Sequence, residues 1–211
     1  MDSMNILFER YPDLEVCRPD LERAYDMLGT CYRSGGKLLV CGNGGSAADT
    51  EHIVGELMKG YMLKRPLPPE ARRKLAAVTS PVDATYLADH LQGALPAISL
   101  VSQSALITAF ANDIDPEMIF AQQVYGYGRP GDVLWAISTS GNAKNILNAV
   151  QVARAMGLKT LGMTGPDGGM LKDFCDVTIR APGGSTPDVQ ERHLPIYHTL
   201  CVLLEMDFFA E

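Results

Sequence analysis

Short apolar strands alternating with helices predict an α/β fold, a three-layer sandwich on a mostly parallel sheet with an N-terminal helix ahead of it. Three observations carry this. Segments 38–41, 97–101, 133–137, 160–163 and 177–179 are short and largely apolar, as in strands covered on both faces. Helical patterns separate most of them, which implies right-handed crossovers. Two of the strands run into small polar turns that open helices, at the strand ends where such sheets bind ligands.

Taken in order, residues 1–11 suit a short helix closed by Pro12. An amphipathic helix starts at Asp20, with Leu21, Ala24, Tyr25, Leu28, Cys31 and Tyr32 at helical spacing, and Gly35-Gly36 ends it. Its stripe can pack within the chain or on a neighbouring copy. Next come strand 38–41, the turn Gly42-Asn43-Gly44-Gly45-Ser46 and a helix over 47–60. Residues 61–95 lack a clean period. Pro66, Pro68 and Pro69 are expected to break any helix there, leaving a long excursion with a short helical piece near 84–91. Strand 97–101 follows, then helices over 104–110 and from Asp115 to about Gly126. After the turn 129–132 come strand 133–137, the polar turn Ser138-Thr139-Ser140-Gly141-Asn142 and a helix over 145–156. Strand 160–163, turn 165–169, strand 177–179 and a long helix over 186–209 complete the chain.

The 211 residues suit one domain, 1–211, with a helical segment at 1–35. An apolar share of 46% and a charged share of 20% belong to a globular chain. No stretch approaches a membrane span, and the first twelve residues lack signal-peptide features, so a cytoplasmic location is expected. The five cysteines are odd in number and show no CxxC spacing, as for reduced core residues. A net charge of −7 without a basic tract argues against nucleic acid. It leaves room for a small anion held by loops and helix ends.

The turn at Gly42–Ser46 is a candidate anion site: glycines allow close approach, and a helix N-terminus supplies N–H groups and dipole. The following helix places His52 and Glu56 four apart, on one face. By itself such a pair is ordinarily a solvated surface pair; the adjoining anion turn raises its interest. The second turn, 138–142, repeats the strand–polar turn–helix pattern, and its hydroxyls and N–H groups can wrap a phosphate without arginine. The ordinary readings are structural for His90 and His193, first-turn dipole support for Asp49, and solvated clusters for Lys64-Arg65 and Arg72-Arg73-Lys74.

The pairing of these two turns resembles the sugar isomerase (SIS) domain family, and within it the phosphoheptose isomerases. The resemblance runs from about Leu21 to the C-terminus, apart from the longer excursion at 66–95. It rests also on His52 and Glu56, on Gln190 and His198 eight apart in the last helix, and on Asn112-Asp113. It implies the SIS fold, flavodoxin-like, and a phosphosugar aldose–ketose isomerase, converting sedoheptulose 7-phosphate to D-glycero-D-manno-heptose 7-phosphate through an enediol. That product feeds nucleotide-activated heptose. By the same resemblance, His52, Glu56, Gln190 and His198 hold zinc. Asn43, Gly44, Gly45, Ser46, Asn112, Asp113, Ser138, Thr139, Ser140 and Gln190 contact the phosphosugar, and the assembly is a homotetramer with sites between subunits. Moving a proton between adjacent carbons needs a base and an acid; Glu56 is the expected base and His198 its acid/base partner. The chain departs from the family pattern at Ala143, where a hydroxyl is usual, making Lys144 the candidate replacement donor. Loop 183–188 also departs. The alternative is a non-catalytic phosphosugar-binding regulator or scaffold, such as those that bind a replication initiator. Retention of all four polar residues favours the enzyme.

Overall fold

In the computed structural model, which describes residues 3–210, five strands form one parallel sheet. They are β1 (Leu38–Gly42), β2 (Ala97–Ser99), β3 (Val133–Ile137), β4 (Lys159–Thr164) and β5 (Val177–Arg180), in the order β2-β1-β3-β4-β5. Leu38 stands between Ala97 and Val133, so β1 has neighbours on both sides. The chain leaves β1 for β2 at one edge and then crosses to β3 on the other side. That reversal opens a crevice at the carboxyl ends of β1 and β3.

The apolar runs are explained by burial on both faces. Leu38 and Val40 join Val133, Trp135 and Ile137 in a core shared with α2 (Arg18–Arg33), α3 (Gly45–Met58) and α10 (Thr186–Phe209). Leu39, Cys41, Leu134 and Ala136 face the opposite core, with α7 (Ile119–Tyr127) and α8 (Lys144–Ala155). These are the three layers expected. All five cysteines are free, and four are buried, as the sequence suggests.

Before the sheet come α1 (Ser3–Arg10), a 3₁₀ stretch Pro12–Cys17, and α2. The expected helix over 1–11 falls on α1 except at Met1 and Asp2, which lie outside the described residues. The second helix starts at Arg18 rather than Asp20, with Pro19 in its first turn, where a missing N–H costs nothing. Its apolar stripe packs inside this chain: Leu21, Ala24, Leu28, Cys31 and Tyr32 are all buried in the first core.

The largest correction concerns the excursion. The prolines do not exclude a helix; α4 (Pro69–Ala76) begins on the third of them. Pro68 is extended at φ −64° and ψ 154°, and Pro69 occupies the first turn. A second helix, α5 (Pro81–His90), is longer than the piece expected, and Ser80 Oγ accepts from Asp83 N at its start. The two pack on each other. Their base is a neck: Pro66 bridges Gln92, Gly93 N donates to Arg65 O at 2.7 Å, and Gly60 N donates to Gln92 Oε1 at 2.6 Å.

Beyond β2, α6 (Ser104–Asp113) runs three residues further than expected and carries Asn112-Asp113 in its last turn. Asp115 caps a 3₁₀ turn, Pro116–Met118, that leads into α7. A one-turn helix, α9 (Leu171–Phe174), was not foreseen. Among the described residues, no helix is long and apolar enough to cross a membrane.

His193 of α10 is fully buried, as its structural reading expects. Its Nε2–H donates to Thr164 O at 3.1 Å, and Nδ1 has no partner among the described residues. Burial pushes its pKa down to about 4. The unfolded chain therefore takes up this proton first, near pH 6.5, and stability falls from there until the folded pKa is passed. In urea unfolding between pH 7 and 4, the wild type should lose about 3 kcal/mol more than His193→Gln. Parallel curves for the two proteins would refute this.

Candidate active site

Two turns meet at the β1–β3 crevice. Gly44 adopts φ +56° and begins α3 with no side-chain cap, leaving first-turn N–H groups at the wall. Opposite, Ser138, Thr139 and Ser140 lead into α8, whose N-terminus also lacks a side-chain cap. The start of α10 supplies Thr186 and Gln190. Together they enclose a cleft of about 300 Å³ that no Lys or Arg lines among the described residues. Anion attraction here comes from helix ends, amides and hydroxyls. Asn43 and Asn145 exchange side-chain amide bonds of 2.9 and 3.0 Å, locking the first turn to α8. A Cβ on Gly45 would lie 2.4 Å from Gln190 Nε2, so the glycine admits the Gln190 amide.

The structure brings Asn43, Gly44, Gly45, Ser46, Ser138, Thr139, Ser140 and Gln190 to this cleft. Three others lie outside it. Lys144 is exposed, and it is Ala143 that lines the wall. Asn112 and Asp113 are exposed at the end of α6, bonded to each other at 2.8 Å.

A second cluster lies further along α3 and α10. His52 Nε2 is 3.3 Å from Glu56 Oε1 and 3.3 Å from His198 Nε2. Lys59 Nζ contacts the other Glu56 oxygen at 3.2 Å. His198 opens on a separate groove of about 660 Å³ between α1, residues 61–62 and α10. Gln190 is eight residues before His198, about 12 Å along the helix axis, and Glu56 lies about 16 Å beyond Gly45.

Three residues without an expected site role surround this cluster. Asp49, expected as first-turn dipole support, falls just past the first turn of α3 and is half-buried. Tyr197 OH is 3.3 Å from Asp49 Oδ1 and 2.9 Å from His52 Nδ1. A carboxylate only accepts, so the hydroxyl donates to Asp49 and accepts from His52 Nδ1–H. The His52 Nε2 lone pair is then left for the cluster. The Tyr61 ring lies 5.6 Å from that of His198. Burial raises the Asp49 pKa, and burial followed by the Asp49 charge raises that of Tyr197. Burial, with His52 next to it, lowers the His198 pKa and favours a neutral ring. The i,i+7 relation of Asp49 to Glu56 was the available sequence signal for Asp49; nothing local marked Tyr197.

Three groups rich in lone pairs thus face one another, an arrangement that calls for a shared proton or a cation. Ligands of a tetrahedral ion at zinc–nitrogen distances sit about 3.3 Å apart. The two measured separations match that edge, and the donor types suit zinc. Among the described residues, however, no group of three or more His, Cys, Asp and Glu closes into a metal centre.

The glycines offer a direct test of the first turn. A Cβ on Gly42 would meet the Ser46 carbonyl oxygen at 2.5 Å, a backbone atom that cannot step aside. Gly42→Ala should therefore lower stability by about 1–3 kcal/mol. Gly45→Ala meets only the movable end of Gln190, so thermal melts should show a smaller loss while phosphosugar affinity, read by calorimetry, still falls. Equal melting losses in the two variants would refute the assignment.

Comparison with known proteins agrees with this architecture. The SIS domain family model matches residues 13–85 and 79–165. The phosphoheptose isomerase of Crocosphaera subtropica is 39% identical over 93% of this chain and 86% of its own. That of Rhodospirillum rubrum is 38% identical over 90% and 86%. Among solved structures, a phosphoheptose isomerase from Francisella tularensis superposes with a TM-score of 0.73 at 30% identity, covering 97% of both chains. Phosphoheptose isomerase GmhA from Neisseria gonorrhoeae gives 0.69 at 30% identity over 88% and 86%. With the sheet order, the paired turns and these likenesses all in agreement, the chain belongs to the SIS domain family and, within it, to the phosphoheptose isomerases.

Proposed function

We propose that this isomerase interconverts sedoheptulose 7-phosphate and D-glycero-D-manno-heptose 7-phosphate. The observation that carries the reading is the convergence of Glu56, His52 and His198 on α3 and α10, the two helices that also wall the cation-free phosphate cleft. In the ketose-to-aldose direction, Glu56 takes a proton from C1 while the carbonyl oxygen at C2 gains one, giving the enediol. A proton then returns to C2 and the C1 hydroxyl loses its own. His198, held neutral by burial, exchanges the oxygen-bound protons. Ser138–Ser140 and the two uncapped helix ends hold the phosphate, and Gln190 orients the chain of hydroxyls.

We assign zinc to His52, Glu56 and His198, with Gln190 joining the set only from another copy of the chain, since within one chain it lies about 12 Å along α10 from His198; when bound, zinc would polarise the carbonyl and offset developing negative charge. Gln190 is the weakest member of the set, since it reaches into the cleft two turns before His198. The axial gap between cleft and cluster, and the exposed Asn112-Asp113, support a homotetramer in which copies complete one another's sites. A cytoplasmic location suits an enzyme acting on a phosphosugar pool.

Glu56→Gln should abolish isomerisation, followed by proton NMR of sedoheptulose 7-phosphate, while calorimetry still detects ligand binding. Full turnover in that variant would end the assignment. Chelation should lower turnover of the wild type by about tenfold or more, with zinc restoring it; unchanged rates in metal-free protein would remove zinc from the mechanism.

A further inference from the structure

Arg65, expected to be solvated beside Lys64, is 1% exposed, and its side chain and that of Glu205 are both fully buried. Its guanidinium has three partners. Nε donates to Glu205 Oε1 at 2.8 Å, one terminal nitrogen to Leu57 O at 2.7 Å, and the other to Glu56 O at 3.0 Å. The Phe209 ring covers it at 4.6 Å. Glu205 in turn accepts from Tyr61 N and Met62 N, each at 2.7 Å, and from Leu63 N at 3.2 Å. Burial by itself would raise the Glu205 pKa; these amides and Arg65 more than offset it, for a net lowering.

The two carbonyls belong to the last turn of α3, where no later helical N–H can reach them. Leu95 N donates to Leu57 O at 3.0 Å, and Arg65 supplies the remaining bonds of that missing turn. One of the two carbonyls is that of Glu56 itself. At the other end, Glu205 follows His198 by seven residues on α10, two turns along one face. The amides that Glu205 holds also seat Tyr61 beside the His198 ring.

We propose that Arg65 and Glu205 form a positioning pair that fixes the Glu56 carboxylate relative to His198 across α3 and α10. The proposal rests on Glu56 and His198 acting as base and acid. The ion pair by itself is weak evidence for a stabilising role, since packed apolar residues often replace one at no loss. Apolar residues cannot, however, hold the Glu56 carbonyl, whereas Leu57 O would keep its bond from Leu95 N. The pair touches no substrate and takes no proton.

The test compares Arg65→Met/Glu205→Leu and Arg65→Lys with the wild type in the full-length protein. The double variant should melt below the wild type, because the Glu56 carbonyl and the amides of residues 61–63 lose their partners; assayed below its own melting temperature, it should show kcat lower by about tenfold or more and KM changed by less than about twofold. Arg65→Lys, which keeps a cation and some of the carbonyl contacts, should recover part of kcat. Wild-type kcat in the double variant overturns the proposal. If that variant fails to fold, Arg65→Lys decides alone, assayed well below its own melting temperature: a kcat loss at constant KM supports the pair, and wild-type kcat overturns it. Glu56→Gln, run alongside, separates the two assignments. Full activity there ends the role of the base, whereas wild-type kcat in the Arg65 variants with Glu56→Gln inactive ends the positioning role only.

Discussion

The reversal of strand order between β1 and β3 is the constraint on which the site depends. Parallel strands need crossover connections, and here one runs from β1 out to β2 and the next from β2 back past β1 to β3, leaving the crevice between β1 and β3 open. The starts of α3 and α8 are thereby brought face to face with unpaired N–H groups exposed. The start of α10 closes the third side. Everything polar in the cleft follows from that placement, including the reciprocal amide pair of Asn43 and Asn145.

A cleft of this kind lets an acidic protein hold an anion. The chain carries a net charge of −7, yet no cationic side chain among the described residues lines the cleft between the two turns. Fixed dipoles need no rearrangement when the ligand arrives, and they are less exposed to salt screening than surface lysines. The cations are used elsewhere. Lys37 pairs with the nearly buried Asp132 at the opposite, amino-terminal end of the sheet, and Arg65 is spent on the end of α3.

The sheet, the two turns and the last helix were legible in the sequence because each is decided locally. Apolar runs bounded by turn residues mark doubly covered strands, and Thr186–Phe209 is helical throughout despite Pro195 in its interior. What was not legible depends on partners far along the chain. Arg65 looks solvated beside Lys64 until Glu205, 140 residues away, is brought to it. Asp49 looks like dipole support until Tyr197 reaches it from α10. The prolines at 66–69 were read as breakers because their effect depends on position: costly inside a helix, where Pro195 is nevertheless carried within α10, and harmless in its first turn. Asn112-Asp113, matched by motif, sits outside the cleft of a single chain, where no sequence pattern could place it.

The neck beneath α4 and α5 has a bearing on how such a chain changes over time. Because Pro66 pairs with Gln92 and Arg65 O holds Gly93 N, the two ends of the excursion are fixed to each other rather than to its tip. The span between them can lengthen, shorten or turn over in sequence at a closure cost that grows only slowly with its length. Arg65 sits at that seam, with its side chain turned toward α3 and α10. A change of length between those ends is thereby taken up in the hairpin, with the bonds that hold the ends of α3 and α10 left in place.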